Sequence, residues 1–216
     1  MKESKIEQIF SQLNQTQLIC RGFIVRDGSS LLNEVNAIIL RDTRVMKIEH
    51  GARSIKNSAM TVPFDPEIRI GENGVVHCNM VFTGKNTIRV GIVSTISDIT
   101  KEISNIRYFP GFDQNSVGFQ QSGEIIIHHE WIKGGSPFGE GDVVGMEVNM
   151  LTNPRTLHFF VNGIQKMHFI TGIPEKFRFC GYLNQEGGQF IVHSLQKLDA
   201  PKVVSVPRSV EINWAI

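Results

Sequence analysis

The run Gly141–Phe169, GDVVGMEVNMLTNPRTLHFFVNGIQKMHF, spells three consecutive antiparallel strands together with both of their turns. Across Val143–Asn149, Val144, Met146 and Val148 fall on one face, with Met150 continuing it. Val143, Gly145, Glu147 and Asn149 fall on the other. Side chains alternate across a strand, so this pattern predicts one strongly apolar face. The linker holds Asn153-Pro154, a turn initiator that also removes a ladder donor. Leu157–Val161 is the second strand. Asn162-Gly163 then suits a type I′ turn, which needs positive φ at both central residues. Ile164–Phe169 returns as the third.

Elsewhere the same signals repeat. Arg44–Glu49, Ala59–Val62, Val75–Phe82, Ile88–Val93, Ser116–Phe119, Ile125–His129, Phe177–Leu183 and Gln189–Leu195 read as strands, punctuated by Gly74, Gly84, Gly111 and Gly123. Leu18–Val25 is β-like as well, and Leu31–Leu40 is ambiguous between helix and strand. Many short strands at near-regular spacing predict a sandwich, not a parallel sheet wrapped in helices. The exception is the start. Ile6, Ile9, Phe10 and Leu13 form a helical stripe, and Ser4-Lys-Ile-Glu7 has capping-box spacing. The stripe covers barely two turns, which favours a short helix docked on its own domain over a partner-binding helix. After Leu198, with Pro201 and Pro207, the tail is expected to be irregular until Val210–Trp214.

Bulk properties narrow the function by exclusion. The chain has 216 residues, 41% of them hydrophobic and 20% charged, ordinary values for a globular protein. A chain of this length buries roughly 70% of its unfolded surface and needs no staples. Net charge is +1 with no basic cluster, so nucleic acid is not an expected partner. Cys20, Cys78 and Cys180 are odd in number and show no ligand spacing, which reads as three reduced, mostly buried thiols. No segment has the length and apolarity of a signal peptide or a membrane span. The expected location is therefore the cytoplasm or the nucleus, with no membrane partner.

The order of these pieces resembles a SPRY domain, a twisted β-sandwich of the concanavalin A-like kind. Arg89-Val-Gly-Ile-Val93 looks like the family's "VGI" core strand. Ser116-Val-Gly-Phe119 followed by Ser122-Gly-Glu-Ile-Ile126 resembles its "S-x-G-[YF] … G-x-[IL]" hairpin. Gly141-Asp-Val-Val-Gly145 matches "GD-x-[IV]-G", and LHFFVNG, Leu157–Gly163, matches the "[IL]-x-F-[FT]-x-NG" hairpin. Phe177–Leu183 sits where the last core strands begin. Thr87-Ile88 stands where the family often has tryptophan, and Asn149 where it often has an acid. The resemblance spans residues 33–198, leaving 1–32 as an N-terminal helix and extension and 199–216 as a C-terminal tail. It implies an all-β antiparallel sandwich. Nothing aligned here resembles the RING, B-box or coiled-coil segments that often accompany the module, so ubiquitin-ligase activity is not implied.

Candidate chemistry falls away on inspection. A lectin-like fold also hosts glycosidases, which need two carboxylates about 5–9 Å apart. The strand that offers such spacing holds Glu147 and then Asn149, so the second acid is absent; Glu124 and Glu130 have no third partner. His128 and His129 point to opposite faces if they lie in a strand, and no third or fourth metal ligand follows at zinc spacing. No nucleophile elbow or phosphate loop is present. The chain is thus expected to be non-enzymatic, without metal or cofactor.

Recognition chemistry remains. Ser104–Phe112 combines an arginine with three aromatics, and Trp131–Phe138 is a second loop with a Trp and a Phe. Arg, Tyr and Trp are the usual anchors of protein interfaces. SPRY-like domains bind peptides or protein surfaces through loops, so the resemblance points to Arg107, Tyr108, Phe112, Trp131 and Phe138 as contacts for an unidentified protein or peptide. In the competing reading Tyr108 and Phe109 plug the core. Phe119, Phe159, Phe160 and Trp214 are assigned to packing. A carbohydrate-binding, lectin-like module is the alternative function.

Overall fold

The structure, a computed structural model, describes residues 29–38, 45–57, 59–84, 87–95 and 109–214. The helix expected near residues 6–13, the strand over 18–25 and Cys20 lie outside them. Among the described residues the helical element is one 3-10 turn, Leu32–Glu34. Strands follow in chain order: β1 Asn36–Ala37, β2 Val45–Ile48, β3 Gly51–Ser54, β4 Met60–Asp65, β5 Ile68–Arg69, β6 Val75–Thr83, β7 Arg89–Ser94 and β8 Ser116–Gln120. Then come β9 Ile125–Ile127, β10 Glu130–Ile132, β11 Val143–Asn149, β12 Thr156–Val161, β13 Ile164–Thr171, β14 Lys176–Leu183, β15 Gln189–Leu198 and β16 Val210–Asn213.

They form two packed sheets. Sheet I runs β1-β4-β14-β7-β8-β9-β10, with β5 also on β14; sheet II runs β16-β13-β12-β11-β6-β15-β3-β2. Every pairing is antiparallel except β13 with β16. The segment Gly141–Phe169 folds as its sequence predicts. Val144, Met146, Val148 and Met150 face the core, and Asn162 and Gly163 both take positive φ in the turn between β12 and β13.

Aromatic rings join the sheets. Phe119 on β8 meets Phe159 on β12 at 4.8 Å between centroids, and Phe64 on β4 meets Phe190 on β15 at 6.2 Å. Removing one such buried ring costs about 3–5 kcal/mol, because the cavity adds to the lost transfer energy. Phe160 and Trp214 are buried too, as expected. Cys78 and Cys180 are free, buried thiols, and burial holds both well above the ordinary thiol range.

One local expectation changes. The strand read over Ile125–His129 stops at Ile127, because His128 and His129 adopt φ of 51° and 66° and form the turn into β10. Positive φ is uncommon outside glycine, which hides such a turn from sequence. The tail is irregular up to β16 at Val210–Asn213, as expected, and it packs on the sandwich. Residues 202–204 cross the outer face of sheet II before β16 pairs with β13. Glu147, fully buried on that face, accepts from the Lys202 amide at 3.0 Å and the Val203 amide at 3.1 Å, and bonds His77 at 3.1 Å. The Gln165 side chain clamps Val204 by bonding both its amide and its carbonyl.

Candidate functional site

Residues of β7 alternate between the two sides of sheet I. Val90 and Ile92 enter the core, so Arg89, Gly91 and Val93 face outward. Register places Arg89 opposite Gln120 on β8, while Val90 lies opposite Gly181 on β14, one residue before Tyr182. On β10, Trp131 faces outward opposite Ile126. Over this floor runs the segment 109–115. Gly111, at φ +94°, sits so close that a Cβ there would lie 2.1 Å from the Ile126 carbonyl oxygen. Only glycine fits that backbone and that approach. Asp113 and Ser116 pin the segment: Ser116 donates to Asp113 and accepts from the Gly111 amide, each at 2.7 Å.

The result is an arginine boxed by aromatics. The guanidinium carbon of Arg89 lies 5.0 Å from the Phe109 ring, 5.2 Å from Tyr182 and 5.6 Å from Trp131. Phe109 packs against Tyr182 at 5.1 Å, and Phe112 meets Trp131 nearly edge-on at 6.0 Å. Arg89 is only 3% exposed. Its Nη2 donates to the Gln120 side-chain oxygen, whereas Nε and Nη1 have no acceptor. Burial pushes the guanidinium down to about 10, which still leaves it charged at neutral pH. Burial likewise pushes the Tyr182 hydroxyl up to about 12, so it stays neutral.

Expected site residues divide. Phe112, partly exposed, and Trp131, 43% exposed, come together on this face. Arg107 and Tyr108 lie outside the described residues. Phe138 is a correction: it is 8% exposed and packs against Phe119 at 5.0 Å, with its amide held by the Gln121 carbonyl. It belongs to the core, and the loop expected over Trp131–Phe138 opens with the strand β10. Phe109 plugs no interior; it packs outside sheet I. Arg89, Gln120 and Tyr182 were missed as site residues. The available signal was parity, since an arginine alternating with Val90 and Ile92 must leave the core.

Other candidates are structural. Glu147 serves the tail, so it is not a free carboxylate. His128 bonds the Trp214 carbonyl at 2.7 Å, while His129 packs edge-on to Phe112, so the two imidazoles diverge. Among the described residues no three His, Cys, Asp or Glu side chains converge as a metal site.

Comparison of folds decides the architecture. The chain is similar to a human SPRY domain crystal structure at TM-score 0.54 and 16% identity, over 74% of this chain and 98% of that one. The fold is that of a SPRY domain. The SPRY domain of human HERC1 matches at TM-score 0.52 and 10% identity over 80% of this chain and all of that one. The TRIM65 PSpry domain matches at 0.53 and 8% over 86% and 97%. No family model matches the sequence, and neither does any curated protein.

Proposed function

We propose that this chain is a non-enzymatic protein-interaction module that docks a peptide or protein surface on the outer face of sheet I, against Phe112 and Trp131. One observation carries the reading: an exposed tryptophan and a partly exposed phenylalanine stand together over a rigid sheet and a boxed arginine. Tryptophan and arginine dominate interface energetics, and a preformed scaffold loses little freedom on binding. Backing comes from the SPRY fold, which the resemblance links to peptide and protein recognition.

Cross-linking and mass spectrometry from native lysate test it. A Phe112→Ala/Trp131→Ala double variant is expected to lose at least tenfold of the specifically captured protein. Leu151→Ala, which trims a side chain 73% exposed elsewhere, is expected to lose none. Equal losses in both variants overturn the docking face. Trp131-dependent binding on a glycan array with no protein captured gives the module to carbohydrate instead.

A further inference from the structure

Arg89 lies under the face to which docking is assigned above, and its role there rests on that assignment. A guanidinium carries five N–H donors in one plane. Gln120 occupies Nη2; Nε and Nη1, with one and two hydrogens, are shielded from solvent and have no acceptor. The rings of Phe109, Tyr182 and Trp131 attract the positive charge through their faces. Ring faces do not supply lone pairs in the guanidinium plane, so the donors stay unmatched. Among the described residues of this sheet's outer loops, Asp113 accepts from Ser116 and from the Asn115 amide, and Glu124 accepts from Ser122. Buried charges in proteins are held by partners of opposite charge, since desolvation otherwise destabilises them.

The walls differ in how firmly they are held. Phe109 and Tyr182 pack against each other, tilted by 32°. Trp131 stands on β10, a three-residue strand paired, among the described residues, with β9 alone, and is the most exposed of the three rings. It is the wall beside which solvent comes closest to the guanidinium. Flat rings on either side favour a planar anion, and a carboxylate lies in the guanidinium plane between them and accepts two parallel N–H bonds.

We propose that Arg89 is an anion subsite. It takes the carboxylate of an aspartate or glutamate side chain of the partner, which enters beside Trp131, lies in the guanidinium plane and accepts from donors that Gln120 leaves open.

The test reads the arginine itself. In 15N-labelled full-length protein the Arg89 Nε–H resonance is assigned by its loss in Arg89→Lys. Titration with N-acetylglutamate is expected to shift it saturably, while N-acetylglutamine amide leaves it in place. No response to the carboxylate, or an equal response to the amide, overturns the subsite. A response to inorganic phosphate alone overturns the choice of carboxylate. The docking face fails separately. Partner capture lost in Trp131→Ala beside a silent Nε–H keeps the face and removes the subsite; a responsive Nε–H beside capture indifferent to Trp131 does the reverse.

Discussion

Glu147 and Arg89 are both buried charges on the outward side of the fourth strand of their sheets, 0% and 3% exposed. Their surroundings are opposite. Glu147 is roofed by the chain's own tail, which supplies two backbone amides, and His77 completes its shell and passes on through Asn79 to Ser194. Arg89 is roofed by rings that touch its faces, and two of its nitrogens bond nothing. The one orphan described near Glu147 is His158 Nδ1, and burial disfavours the charged form of that ring, so the orphan is an uncharged nitrogen. A closed polar site holds a fold together. An open one costs stability, and the proposal above gives its unmatched donors to a partner.

The largest effect is expected at the closed site. Glu147→Ala strips the Lys202 and Val203 amides and His77 of their common partner. It is expected to cost about 3–5 kcal/mol in urea unfolding, the range for breaking a buried charged pair from one side. A cost near zero would mean that the tail is held without Glu147 and that the two faces do not differ.

Acidification should sharpen the same contrast. Burial holds His158 and His168 below the ordinary imidazole value of 6.5, opposed at His158 by the Glu147 charge. Below 6.5 the unfolded chain therefore binds more protons than the folded one. Stability from these groups is full above that pH and is lost as pH falls toward their folded values. Thermal unfolding between pH 7.5 and 5 is expected to show this slope, and His158→Gln is expected to flatten it. An unchanged slope places the acid sensitivity elsewhere.

Trp131→Ala is a small change in stability, about 0.5–1 kcal/mol by thermal unfolding, the worth of a cation–π contact made by a half-exposed ring. The same variant is expected to have the large effect on partner capture. A drop beyond about 2 kcal/mol would make Trp131 a packing residue of the Arg89 box.

Local chemistry was legible in the sequence, and distant contacts were not. The Asn162-Gly163 turn and the apolar face of β11 are written in adjacent residues, and both formed as expected. Trp131 and Phe112 stood out in the sequence as large aromatics in turn-rich segments, and the structure brings the two together on one outer face. Phe138 was misread because its burial depends on Phe119, nineteen residues earlier and on another strand. The His128-His129 turn was hidden because neither residue advertises positive φ. Arg89 looked like part of a core strand. Its isolation emerges only when β8, β10, β14 and segment 109–115 converge on it, and no single stretch of sequence shows that.

Equilibrium urea unfolding of Arg89→Met weighs the two faces against each other. Replacing a buried, half-satisfied cation with an apolar side chain of similar length is expected to leave stability unchanged or raise it by about 1 kcal/mol. A loss of about 3 kcal/mol or more would contradict this account, because it would make Arg89, like Glu147, a group that the fold needs for itself.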